Sequence, residues 1–203
     1  VLVDARGDGV PSVVTDDVHG GRLATEHLVE LGHRRVAFIG EPPDNPFGFT
    51  ATSLREQGCR QVLAGIGEEP VAVEYCEHDR LVSRDVAAQL LRHRDRPTAI
   101  FASSDVQASG VLLAAAEGGV RVPEDLSVIG FDDIDISMYA GITTIRQPLF
   151  ESGRLGAELL LRRLADGTGD VEPLAHELPV ELVVRATTAA PAGARRGRAK
   201  VRG

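Results

Sequence analysis

Apolar residues in this chain fall into short continuous runs separated by longer stretches of helical period. The runs read as strands at residues 1–3, 11–15, 35–40 (RVAFIG), 70–75, 98–102, 126–131, 142–146 and 178–184. Between them the 3.6-residue period predicts five helices. The first runs from Asp16 or Asp17 to about Leu31, with Ala24, Leu28 and Leu31 on one face and Gly32 as its stop. The second covers residues 50–64. The third covers 81–92, with Val82, Val86 and Leu90 inward. The fourth opens at Ser103-Ser104-Asp105, turns Val106, Gly110, Leu113 and Ala114 inward, and ends at Gly118-Gly119. The fifth covers 148–165, with Gly153, Ala157, Leu160 and Leu164 inward. Strand and helix alternate strictly between residues 35 and 131, the signature of a parallel sheet covered on both faces. The flanking pieces break that rhythm, so the chain ends are expected to cross to another subdomain.

The stretch VPEDLSVIGFDDI, residues 122–134, is a turn, a buried strand and a polar exit carrying Asp132 and Asp133. Ligands of open parallel sheets sit outside the carboxyl ends of the strands, which favours a ligand contact there. The alternative is that the two acids cap a following turn or helix. Ser104 and Asp105 are read as helix caps first and ligand contacts second. The loop 41–49, with three prolines, Phe47 and Phe49, is either a binding loop or a solvent loop with an apolar anchor. Arg55 stands in the first turns of a helix, where a cation opposes the dipole and needs another reason to be present.

Composition narrows the function. The chain has 203 residues, is 43% hydrophobic and 26% charged, and lacks Trp, as befits a globular protein. Removing the five cations that follow Pro191 takes the net charge from −8 to −13, and so acidic a body argues against direct nucleic-acid binding by this segment. Residues 189–203 have no apolar period and are expected to be a disordered basic tail. Cys59 and Cys76 fit no zinc or redox spacing and point to a reducing compartment. No run is long enough to span a membrane. The chain opens at Val1, inside an apolar run, and reads as part of something longer. G-x-S-x-G, P-loop and H-E-x-x-H motifs are absent, and Gly7-x-Gly9 lacks its third glycine. The six histidines are scattered, and His33 is read as serving a helix-end turn. The chain is therefore expected not to be an enzyme and to need no cofactor.

Several stretches, taken in order, resemble the effector-binding core of lactose-repressor (LacI/GalR) family transcriptional regulators: GGRLATEHLVELGHRRVAFIG (20–40), RPTAIFASSDVQASGVLLAAAEGGVRVPEDLSVIGFDDI (96–134), ITTIRQP (142–148), GRLGAELLLRRL (153–164) and LPVELVVRATT (178–188). The resemblance covers residues 1–188 and implies an α/β, type I periplasmic-binding-protein-like fold: two subdomains of parallel sheets flanked by helices, joined by crossover strands. It assigns residues 17–145 and 175–188 to the C-terminal subdomain. Residues 1–15 and 148–168 fall to an incomplete N-terminal one. It implies a small-molecule effector in the intersubdomain cleft, a sugar or sugar phosphate first and a purine second. It also implies a cytoplasmic homodimer, and operator DNA bound through a headpiece this chain lacks. Carried over by position, the effector site is Asp4, Arg55, Asp132 and Phe131, with Ser104, His78 and Phe49 at positions where the sequence departs from the family pattern. Arg55 and Asp132 suit hydroxyls or a purine edge, one supplying a fork of donors and the other acceptors only. The competing reading is a periplasmic sugar-binding protein of a transporter.

Overall fold

The computed structural model describes residues 1–7, 9–44, 49–166 and 175–192. In chain order the elements are β1 (Leu2–Val3), β2 (Ser12–Thr15), α1 (Asp17–Glu30), β3 (Val36–Gly40), α2 (Ala51–Ala64), β4 (Ala72–Tyr75), α3 (Arg80–Arg92), β5 (Ala99–Ala102), α4 (Asp105–Glu117), β6 (Ser127–Asp132), α5 (Asp135–Ala140), β7 (Thr143–Arg146), α6 (Leu149–Asp166), β8 (Ala175–Leu178) and β9 (Glu181–Val183). They form two sheets. The larger has the order β4-β3-β5-β6-β7-β9, parallel except for β9, and the smaller has the parallel order β1-β2-β8.

Period-two alternation on three central strands builds both cores of the large sheet. Val36, Phe38, Ala99, Phe101, Ile129 and Phe131 face Ala24 and Leu28 of α1 and Cys59 and Leu63 of α2. Ala37, Ile39, Ile100, Ala102 and Val128 face the opposite way, onto α3 and α4. Phe38 and Phe101 meet edge-on, their ring centroids 5.2 Å apart. Full burial of each such ring is worth roughly 1.5–3 kcal/mol. Glycines allow α1 and α2 to approach closely: a Cβ on Gly21 would lie 2.1 Å from the Arg55 carbonyl, and one on Gly58 2.2 Å from that of Val18.

Several expectations change in the three-dimensional structure. The run 178–184 is interrupted at Pro179. β8 pairs in parallel with β2, so residues 175–178 lie in the small sheet rather than with 181–188; β9 then joins β7 antiparallel. Pro179 has no N–H to continue a ladder, and the chain changes sheets there. Helix α3 buries Ser83, Ala87 and Leu90 and leaves Val82 exposed, because Ser83 sits where α4 presents Gly110. Helix α4 is covered on two sides and buries Ala108, Val111 and Ala115 more deeply than Val106 or Leu113. Helix α6 reaches the small sheet through Ser152 and Gly156, leaving Leu160 and Leu164 exposed, since a three-stranded sheet covers only a narrow stripe. Ala189, expected to begin the disordered tail, instead bonds through both its N–H and its carbonyl to Ser127 Oγ. Residues 193–203 of that tail lie outside the described residues.

His33 ends α1 in a Schellman turn, its N–H bonding to the Leu28 carbonyl and that of Gly32 (φ 101°) to Val29. Its buried ring does more than the sequence indicated. Nδ1 meets Thr98 Oγ1 at 2.9 Å, and Nε2 lies 3.0 Å from Ser127 Oγ and 2.9 Å from the Ala189 carbonyl. One imidazole therefore ties α1, β5, β6 and the C-terminal segment together. Burial holds its pKa below the ordinary 6.5, so the unfolded chain takes up a proton there more readily than the folded one. Its stabilising contribution is complete above pH 6.5 and is lost as pH falls from there toward the folded value. Asp105, held up at about 7, changes stability in the opposite direction over part of that range. The effect is therefore best measured as a difference. The stability advantage of wild type over His33→Gln, from urea unfolding, is expected to shrink between about pH 7.5 and about 5.5; a pH-independent advantage would contradict this account.

Candidate functional site

The carboxyl ends of β3, β5 and β6 converge where the two sheets meet, and a guanidinium sits at the centre. Arg55, on the second turn of α2, is only 6% exposed. Its Nε donates to Asp17 Oδ1 at 2.7 Å and its Nη1 to the Ser103 carbonyl at 2.7 Å. Its plane lies 3.6 Å over the Phe131 ring, and Nη1 is 3.6 Å from Asp132 Oδ1. A desolvated cation–π contact of this kind is worth about 2 kcal/mol. This pairing is the reason a cation is tolerated so early in the helix. Asp16 caps α1 by accepting from the His19 N–H, which frees Asp17 for the arginine.

Three carboxylates share this one cation. Burial raises Asp17 above the usual carboxylate range against the pull of Arg55, and Asp4 and Asp132 add to the rise. Burial likewise raises Asp132 and Asp4, with Arg55 opposing in both. Asp4 comes from the end of β1, so the acids converge from both sheets. A pocket of ≈190 Å³ opens beside them, lined by Asp4, Thr15, Asp17, Thr50, Leu54 and Glu177.

The tandem acids after β6 part company. Asp132 (φ 114°) and Asp133 (φ 61°) both occupy the left-handed half of backbone space, a strain of the kind that collects at functional sites. The sharp turn sends Asp132 toward Arg55. Asp133 is bonded to Arg146 at 2.6 Å, Arg185 at 2.6 Å and Ser137 at 2.8 Å. Burial would raise Asp133, but these bonds hold it below its ordinary value. Its work is structural, fixing the crossover strands. Asp105 is not the helix cap expected for it. Ser104 caps α4, accepting from the Gln107 N–H, while the fully buried Asp105 accepts from Thr144 Oγ1 at 2.6 Å and the Ile134 N–H at 3.0 Å. Burial pushes it up to about 7. A Cβ on Gly130 would lie 2.3 Å from its carboxylate, so that glycine makes room for it.

The structure thus brings Asp4, Arg55, Phe131 and Asp132 together. His78 stands at the rim, half-exposed, 3.8 Å from Glu41 and near enough to Asp132 to stabilise its charge. Ser104 is engaged in capping. Phe49 is 55% exposed ahead of α2, and Phe47 of the same loop lies outside the described residues. Sequence reasoning missed Asp17, Ser103 and Gln147. Gln147 donates to Asp132 Oδ1 at 2.5 Å and accepts from Thr15 Oγ1 at 3.1 Å, linking the site to the segments where the chain crosses between sheets. Among the described residues no group of His, Cys, Asp or Glu is arranged to hold a metal ion, and no helix is long and apolar enough to cross a membrane.

Comparison with known proteins gives a consistent picture. Residues 25–188 match the family described as periplasmic binding protein-like domain. The ribose operon repressor of Halalkalibacterium halodurans is 34% identical over 185 residues, covering 89% of this chain and 53% of the relative. A LacI family transcriptional regulator from Enterococcus faecalis V583, solved with bound ribose, superposes with a TM-score of 0.83 at 33% identity, covering 94% of this chain and 68% of the neighbour. The lac repressor dimer bound to operator and the anti-inducer ONPF superposes at 0.81, with 31% identity over 93% of this chain and 64% of its own. The chain spans about half the length of the curated relatives it matches.

Removing the central cation is expected to expose the cost of the buried Asp17 and the partly buried Asp132, with Asp4 beside them. Arg55→Ala should lose about 3–5 kcal/mol at neutral pH, the usual penalty for orphaning a buried partner. Adding Asp17→Asn should return part of the loss, and acidification should shrink it as the carboxylates protonate. Urea unfolding checks this; an Arg55→Ala protein as stable as wild type would refute it.

Proposed function

Because the chain belongs to the LacI family of the periplasmic binding protein-like class, we propose that it is the effector-binding core of a DNA-binding transcriptional regulator. In this reading the cleft around Arg55 takes a small polyhydroxy ligand, whose occupancy governs operator binding through a DNA-reading headpiece. The role is binding rather than catalysis, and its setting is the cytoplasm, where the DNA is. The similar proteins named as repressors favour this over an exported sugar carrier of the same fold.

The observation that carries the ligand class is the charge of the site. Asp4, Asp17 and Asp132 face a single arginine, and all three are raised by burial. An added phosphoryl group would put two more negative charges among unneutralised carboxylates, at several kcal/mol. A neutral sugar brings donors that carboxylates accept and acceptors that Arg55 can serve. The flat ring of Phe131 supplies the apolar floor. Of the two sugar classes expected from the sequence, the unphosphorylated one fits. The ribose carried by the structural neighbour makes a pentose the first candidate.

A ligand shifts a two-state protein only through its different affinity for the two states. Gln147 is placed to register such a difference, because it holds Asp132 on one side and Thr15 on the other. We assign the homodimer contact to α3 and α5, which both pack on α4 and leave Leu81, Met138 and Tyr139 uncovered, the last 84% exposed.

Titration calorimetry with ribose and ribose 5-phosphate tests the ligand class. Ribose should bind, the phosphate ester at least roughly tenfold more weakly, and Asp132→Asn should lose roughly tenfold or more in ribose affinity through a lost charge-assisted bond. Tighter binding of the ester, or no sugar binding that depends on Asp132, would refute it. Light scattering after gel filtration tests the dimer. Wild type should run at twice the chain mass and Tyr139→Glu at once; equal masses would move the interface elsewhere.

A further inference from the structure

The opposite end of the large sheet carries a second concave site. It lies at the amino ends of β3, β5 and β6, a cavity of ≈250 Å³ lined by Arg35, Arg94, Arg96, Glu124 and Asp125 and walled by Pro191. Three arginines in one small cavity are unexpected in a body this acidic. Elsewhere Arg6, Arg22, Arg55, Arg60, Arg84, Arg121, Arg146, Arg154 and Arg185 are ion-paired, while the arginines outside the cavity that make no ion pair among the described residues (Arg34, Arg80, Arg92, Arg162 and Arg163) do not line it. Arg35, Arg94 and Arg96 make no ion pair among the described residues.

The cavity's own acids offset them only in part: Asp125 feels Arg96, but its bonds go to another arginine. Asp125 is committed to Arg121, which reaches it through Nε at 2.7 Å, Nη2 at 2.8 Å and its backbone N–H at 3.2 Å. Those bonds pull Asp125 down to about 2. Glu124 is then the one uncommitted carboxylate among the residues lining this cavity, Glu74 and Asp95 lining an adjoining hollow that Arg94 and Arg96 also border. Arg35 donates to the Arg96 carbonyl, so the segment bearing Arg96 is braced against the start of β3. The Ala189–Ser127 bonds fix the chain that leads into Pro191 and Ala192 on the other wall.

We propose that this cavity binds a small phosphoryl-bearing anion, a second ligand distinct from the neutral one assigned to the cleft. Guanidinium forks pair with tetrahedral oxyanions through parallel, charge-assisted bonds. The cavity is smaller than the pockets that enclose drug-sized molecules, which suits a phosphate or diphosphate group.

The probe is pyrophosphate, titrated into the 203-residue chain by calorimetry and by thermal melting, each against potassium chloride of equal ionic strength. Pyrophosphate is expected to bind and to raise the melting temperature. Arg94→Ala/Arg96→Ala should lose roughly tenfold or more in affinity. Arg162→Ala/Arg163→Ala, which removes the same charge from α6, should bind as wild type does. Three results would overturn the proposal: no effect beyond the salt control, equal losses in both double variants, or citrate binding as tightly as pyrophosphate. Sugar binding enters none of these readouts, so the result is independent of the cleft assignment.

Discussion

One buried cation governs the architecture of this protein. Arg55 lies against Asp17 of α1, the Ser103 carbonyl after β5, and the Phe131 ring and Asp132 of β6, so three segments distant in sequence close on one guanidinium. The one carboxylate of its own helix, Glu56, is its neighbour in sequence and accepts instead from Arg60 and Tyr75. Its partners are available only because α1 and α2 touch backbone to backbone at Gly21 and Gly58. A Cβ at either glycine would fall within 2.2 Å of a backbone oxygen of the facing helix, so the helices would have to move apart and stretch the 2.7 Å bond to Asp17. The ion pair and the helix packing therefore stand or fall together, and removing either leaves buried carboxylates without compensation.

The crossing between sheets obeys a second constraint. Three segments pass between them, and each carries a residue that fixes its path. Thr15 stands at the first crossing and Gln147 at the second, bonded to one another. Pro179 ends the ladder of β8 at the third, and Asp133 clamps the β7–β9 pair through Arg146 and Arg185. Because Gln147 also holds Asp132, the crossing and the proposed ligand cleft are not separate regions. Movement of one sheet relative to the other must strain or break a bond to a residue of the site.

Much of this was legible in the sequence, and what was not has physical reasons. The strands of the large sheet and helices α2, α3 and α4 between them followed from hydrophobic period, because fully buried strands leave continuous apolar runs, whereas the six residues of α5 are too few to show one. Arg55 drew notice as a cation opposing a helix dipole, and Asp132 as an acid at a strand end; the structure brings them to 3.6 Å. Helix faces were read less well. Period identifies an apolar stripe but not the glycines and serines through which helices approach most closely, so Ser83, Ser152 and Gly156 went unnoticed. Asp17 was taken as an alternative cap to Asp16, since nothing local separates a capping acid from one aimed at a residue 38 positions away. The break at Pro179 was visible as a residue, but which sheet takes each half depends on partners that only the fold supplies.

The two ends of the large sheet carry opposite charge for a common reason. In a parallel α/β layer every helix presents its amino end where the strands finish and its carboxyl end where they begin. The partial positive charge of the helix starts favours acids at the first, and the partial negative charge of their ends favours cations at the second. Asp17, Asp105 and Asp135 stand in first turns, as this requires, while Arg92 stands in the last turn of α3 and Arg34 bonds to the Val29 carbonyl near the end of α1. Sorting by dipoles explains where each sign collects. It does not explain concavity, and at both ends the collected charges line a pocket. At one end Arg55 tempers an acid excess; at the other, with Asp125 committed to Arg121, Glu124 tempers a basic one. On the proposed assignments, the charge left over at each end sets which ligand the pocket admits: hydroxyl donors where carboxylates are in surplus, an oxyanion where guanidinium groups are.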